Sequence, residues 1–183
     1  MSEELLVRHC APTLAGIKTG NLFSCACESR NALTAQIRAL NRRLAPKGLC
    51  LLPLRVSGGR ALLYLFRPAQ LRSDLEQEGA AELLRAAGFD ASNSMRCLGT
   101  LIRRLREGEP VPHEIGLFLS YPPEDVRGFI EHGAENCKLS GLWKVYGDAD
   151  AARRLFEKYK KCTQIYCRQW RAGAPVERLA VPA

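Results

Sequence analysis

His9, Cys10, Thr13, Lys18 and Asn21 fall within 13 residues, among Pro12, Gly16 and Gly20. These types cover several kinds of chemistry. A lysine can hold an anionic group, Thr and Asn can hydrogen-bond a ligand, and glycines let a ligand approach the backbone. The order Gly16-Ile17-Lys18-Thr19-Gly20 lacks the glycine spacing of a phosphate loop. Two readings of this opening segment therefore stay open: a ligand site, or a loop packed against the sheet. Cys10 is a candidate nucleophile, because a neighbouring imidazole promotes the reactive thiolate. Adjacent side chains of a strand point to opposite faces, so the distant His113 is the better partner and His9 the poorer one. The competing fate of Cys10 is that of a small buried hydrophobe. Tyr121, in the segment Tyr121-Pro122-Pro123, joins His9, Thr13, Lys18 and Asn21 as a candidate ligand-binding residue.

Eight cysteines raise the question of a metal. Cys25 and Cys27 share a face if extended, but no second ligand pair follows. Cys162 and Cys167, on a predicted helix, diverge by about 140°. Zinc and iron–sulfur sites want closely spaced sets, so no metal and no disulfide framework is expected. Basic runs occur at Arg38, Arg42 and Arg43, at Arg103, Arg104 and Arg106, and at Lys158, Lys160 and Lys161. No nucleic-acid motif accompanies them, and the aromatics fall on apolar stripes rather than between the charges, so nucleic acid is not the expected partner.

The elements that must position these residues are legible from periodicity. Leu33, Ile37, Leu40 and Leu44 mark an amphipathic helix from Arg30 to Leu44. Cys50 to Val56 and Arg60 to Phe66 flank Ser57-Gly58-Gly59 and read as a β-hairpin. Leu71 to Ala87 and Ser94 to Glu107 read as helices. Ile115 to Ser120, a helix from Pro123 to about His132, and Leu142 to Tyr146 read as a βαβ unit with a parallel strand pair. That pair would put Ser120, Tyr121, Tyr146 and Gly147 at one ligand crevice. A long helix follows Asp148, with Ala152, Leu155, Phe156, Tyr159, Tyr166 and Trp170 inward. Leu22 to Ala26 and Glu177 to Val181 are weaker strand candidates. The expected fold is a single α/β domain over residues 1–183, a mixed sheet covered by helices, with the hairpin in the first half and a βαβα unit in the second.

The segments His9 to Lys18, Asn21-Leu22-Phe23, His113-Glu114-Ile115-Gly116, Leu142 to Tyr146, Phe156-Glu157-Lys158-Tyr159 and Cys162-Thr163 resemble a bacterial family, domain of unknown function 3793. The resemblance covers nearly the whole chain. It implies a small protein of anaerobic Gram-positive bacteria with no established activity, and it carries over no catalytic residues or cofactor. It also implies a neighbourhood of flavodoxins, hence redox or iron metabolism.

The net charge of +8 favours anionic partners without specifying one. Acidic residues stand at the amino terminus where a secretory signal carries basic ones, and apolar runs are far shorter than the roughly 20 residues of a membrane span. A cytoplasmic protein off the membrane is expected. Three functions stay open. The first is binding of a small anionic metabolite or cofactor at the opening segment. The second is a non-catalytic redox or iron-metabolism accessory that docks an acidic flavodoxin-like partner. The third is a cysteine-dependent enzyme using Cys10 and His113.

Overall fold

A computed structural model describes residues 2–182. The chain begins with a helix, α1 (Glu3–Leu14), started by Ser2, whose hydroxyl accepts from the Leu5 amide, and by Glu3 and Glu4 at its positive end. The segment read as loop or strand is thus helical as far as Leu14, and only residues 15–19 form a turn. β1 (Gly20–Ala26), α2 (Arg30–Leu44), β2 (Cys50–Ser57) and β3 (Arg60–Phe66) follow. The three strands form one antiparallel sheet in the order β1-β3-β2. Gly58 and Gly59 turn the β2–β3 hairpin with φ of 55° and 70°, the left-handed values a two-residue hairpin loop needs.

Successive residues of β3 point to opposite faces and build two cores. Leu63 and Leu65 pack with α1, α2 and α9 (Val176–Leu179). Tyr64 and Phe66 pack on the other face, against α3 (Pro68–Glu76), α4 (Glu78–Ala86), α5 (Ser94–Arg106) and α6 (Ile115–Phe118). Helices therefore cover both faces, as expected of this α/β chain. α7 (Pro123–His132), β4 (Leu139–Ser140), β5 (Lys144–Val145) and α8 (Ala149–Arg171) complete the elements. A third cluster, around Trp143, Val145, Ala152 and Tyr159, forms beside α8.

The second half departs from the expected βαβα unit. Ile115 to Ser120 is not a strand: α6 occupies it, with Leu117 and Phe118 both buried. A short continuous apolar run fits a strand buried on two faces or a helix buried all round, and periodicity alone does not separate them. Of Leu142 to Tyr146 only Lys144–Val145 is paired, antiparallel to Leu139–Ser140 in a separate two-stranded ribbon. No parallel pair exists among the described residues, so the sheets are antiparallel rather than mixed. The crevice expected at Ser120, Tyr121, Tyr146 and Gly147 falls with that pair. The segment Glu177 to Val181 is likewise corrected, since α9 begins behind Pro175 and ends at Leu179. Leu71 to Ala87 is two helices meeting at Gln77.

Candidate functional site

α1 packs against α8, and their seam opens into a cavity of about 610 Å³. α1 lines it with Arg8, His9 and Pro12, β1 with Asn21, and α8 with Phe156, Glu157, Tyr159, Lys160, Thr163 and Gln164. On α8 these residues recur at helical spacing, so they form one stripe. Lys18, Tyr121, Gly141 and Leu142 complete the wall. A Cβ on Gly141 would stand 2.1 Å from Phe156 Cε2, so only glycine lets this turn close against α8.

The turn that carries Lys18 is fixed on all sides. Gln70 donates to the Gly16 carbonyl at 3.1 Å, the Thr19 amide donates to Ser120 Oγ at 2.8 Å, and the Thr19 hydroxyl donates to Asp74 at 2.5 Å. Ser120 adopts φ 59°, a left-handed conformation rare for serine. Lys18 itself is only 8% exposed. Its Nζ makes no hydrogen bond and no ion pair among the described residues, and it lies 5.5 Å from the centre of the Tyr121 ring and 5.7 Å from that of Tyr159. Burial lowers its pKa to about 8, with the nearby Cys10 thiol acting weakly the other way.

The rings around Lys18 are held from behind. Tyr121 stacks on Trp143 with centres 4.5 Å apart, and Trp143 Nε1 donates to Asp125 at 2.7 Å. Asp125 also accepts from the Tyr146 and Gly147 amides, both at 2.8 Å, fastening the ribbon to α7. Tyr159 is 4% exposed, and its hydroxyl has no partner among the described residues. Its pKa is pushed up to about 12, chiefly by burial.

Four of the five expected ligand-binding residues, His9, Lys18, Asn21 and Tyr121, line this one cavity. The fifth, Thr13, stands behind it and donates to Asn21 Oδ1 at 2.8 Å, which leaves the Asn21 amide N–H groups for a ligand. His9 stacks against Phe23, and its pKa is lowered by burial and then by Arg8, so the imidazole is neutral near pH 7.

The expected Cys10–His113 pair is not brought together. Cys10 is 0% exposed on the inward face of α1 and takes no part in the cavity wall. Burial raises its thiol far above the ordinary range, which opposes thiolate formation. His113 packs edge-on against Phe129, 5.0 Å between centres, in a separate cavity of about 410 Å³ beside Trp143. A thiol probe near neutral pH is expected to label Cys137 and Cys167, both partly exposed, at least about 100-fold faster than Cys10. Peptide mapping of the native protein decides this; rapid native labelling of Cys10 would contradict the burial argument.

Cys25 and Cys27 share the inner face and are buried in the core. Among the described residues no group of three or more His, Cys, Asp or Glu is placed to hold a metal ion. The basic runs are partly committed within the chain. Arg104 donates to the Ala87 carbonyl at 2.7 Å and covers the Phe89 ring, Arg103 pairs with Glu107 at 2.7 Å, and Arg43 pairs with Glu3 and Glu177. No helix among the described residues is long and apolar enough to cross a membrane.

A family model described as "Protein of unknown function (DUF3793)" matches residues 6–180. The chain belongs to the DUF3793 family. The match takes in every residue that lines the cavity of this DUF3793 member, from Arg8 to Gln164. No curated protein and no solved structure matches the chain.

Periodicity had marked Phe156 and Tyr159 as inward-facing without giving them a role, and Arg8 carried no signal at all. Lys160 belonged to a basic run. Only the packing of α8 on α1 joins these four to Lys18.

Proposed function

We propose that the cavity between α1 and α8 binds a small anionic metabolite or cofactor, in the cytoplasm, where such molecules are abundant. The observation that carries this reading is Lys18: only 8% exposed, flanked by two aromatic rings, its ammonium at the cavity wall and without a counter-charge among the described residues. Burying an unpaired charge is costly, and a ligand carboxylate or phosphate would supply the missing partner. Arg8 and Lys160 add positive charge to the same wall against the single carboxylate of Glu157. The volume lies within the roughly 300–1,000 Å³ of small-molecule sites. Asn21, oriented by Thr13, supplies hydrogen bonds, and the faces of Tyr121 and Tyr159 flank the ammonium.

Thermal unfolding in the presence of di- and tricarboxylates, inorganic phosphate, sugar phosphates and nucleotides tests the reading. A cognate anion at about 100 times its Kd should add about 2.7 kcal/mol, a rise of roughly 5–10 °C in Tm for a chain of this size. Lys18→Ala should lose most of that rise. The reading fails if no anion stabilises the protein, or if Lys18→Ala responds as the wild type does.

A further inference from the structure

We infer that Lys18 is the amine of an imine-forming site, and that the anionic ligand also carries an aldehyde or ketone which condenses with Nζ. The inference rests on the proposed anion site and says what that site does with its ligand. A lysine that serves only as a point charge gains from hydrogen bonds to its partners, and its three donors are normally occupied when it is buried. Lys18 has none among the described residues, although Gly16 and Thr19 in the same turn are fixed by Gln70, Ser120 and Asp74. The backbone beneath the side chain is rigid, and the nitrogen is left free at the wall of a cavity large enough for a small molecule.

The two rings bear on the same point. Cation–π attraction fades towards about 6 Å from the ring centre. At 5.5 and 5.7 Å, Tyr121 and Tyr159 hold the charge only weakly while they take up part of the space around it. Desolvation therefore prevails, and the pKa of about 8 leaves roughly a tenth of the amine neutral at pH 7, some 200-fold more than for a solvated lysine.

The neutral Nζ adds its lone pair to the carbonyl carbon, and the C=O π bond opens to a carbinolamine. The hydroxyl then leaves as water, taking the two amine hydrogens in all, and a C=N bond remains. No oxidant or reductant enters. Tyr159, protonated and without a hydroxyl partner among the described residues, passes the proton to the departing oxygen and recovers one from nitrogen. The ligand's own anionic group, held by Arg8 and Lys160, then stands near the C=N nitrogen and pairs with it when that nitrogen takes up a proton from solvent.

Glyoxylate, a small anionic aldehyde, is the probe, with cyanoborohydride to reduce any imine to a stable carboxymethyl amine. Wild-type protein is treated at pH 7 to 9 and read by intact mass and peptide mapping. Modification of Lys18 at least tenfold faster than of Lys158 or Lys161, with a rate that levels off above about pH 8, is the expected result. Excess oxalate, which has the charge but no aldehyde or ketone, should slow it. Lys18→Arg should keep anion-dependent thermal stabilisation and lose the adduct. Lys18 labelling no faster than the surface lysines overturns the imine site, whatever the variant does. If anions still stabilise the wild type in that case, the anion site survives alone; if they do not, both readings fall.

Discussion

Replacing Arg67 by methionine is expected to lower the unfolding free energy by about 3–5 kcal/mol, the range for losing several buried charge-assisted hydrogen bonds at once. Arg67 lies between β3 and α3 and is 1% exposed, with no ion pair to a carboxylate among the described residues. Its guanidinium instead donates to the carbonyls of Thr13, Leu14 and Val181, each at 2.8 Å, and of Lys47 at 3.3 Å. Two of these lie in the last turn of α1, which has no basic residue of its own, so a cation from another element neutralises the negative end of that helix. The same side chain ties down the chain near its carboxyl end and the turn before β2. Methionine fills part of the volume but leaves the Lys47 and Val181 carbonyls without this donor. Arg67→Lys keeps the charge and reaches fewer of the four, so its loss should be intermediate. Urea unfolding of the three proteins gives the order. A loss below about 1 kcal/mol for Arg67→Met would mean that water replaces the guanidinium freely. The consequence reaches the cavity, because α1 and the Lys18 turn meet at this point. The methionine variant should bind anions more weakly under conditions where it is still folded.

The failure to foresee α1 shows where local signals compete. Ser2, Glu3 and Glu4 are good helix-starting residues, and Leu6, Val7, Cys10 and Leu14 fall on its buried face. Pro12, inside the helix, argued against it. Proline removes one donor, here the one that would reach the Arg8 carbonyl, and near the end of a helix that loss is tolerable. The misreading also changed the geometry of the site. In a strand His9 and Cys10 would oppose each other, whereas in the helix Cys10 turns into the core and His9 towards the cavity. Lys18 and Asn21 were legible as ligand candidates because varied polar types stand together beside glycines and a proline in the opening segment. Tyr159 and Phe156 were legible only as core, since the hydrophobic stripe that packs a helix is also what walls a cavity. The strands Arg60 to Phe66 and Cys50 to Val56 were plain because two glycines and alternating burial specify a hairpin locally. The supposed parallel pair depended on long-range register, and nothing local in Ile115 to Ser120 specifies it.

Lys18→Met should be more stable than the wild type at pH 7, by about 2–3 kcal/mol, while losing anion binding. Burial holds the native amine at about 8, below the ordinary 10.5. Below pH 8 both folded and unfolded chains bind the proton, and the native state carries the full cost of the buried charge. Between pH 8 and 10.5 the native state sheds the proton first, so the unfolded state binds more protons and stability rises with pH. Above that window both amines are neutral and the cost is gone. The difference in pKa corresponds to about 3 kcal/mol, less the weak contacts with Tyr121 and Tyr159 that methionine replaces in part. Other groups titrate nearby with the opposite sign. Burial raises Cys10, Tyr121 and Tyr159, so the stability they contribute is lost as pH rises through the range where the unfolded chain ionises. These contributions are common to both proteins and cancel in the difference, apart from the weak coupling of Cys10 to Lys18. The gap between Lys18→Met and wild type should therefore be widest at pH 7 and close towards pH 10. A cognate anion should narrow it further at pH 7 by stabilising only the wild type, and should do less at pH 9, where the native amine is largely neutral. Urea titrations of both proteins at several pH values supply the curves. A methionine variant less stable than wild type at pH 7 would show that the ammonium holds the fold through its rings, and would remove the main physical ground for an anion site.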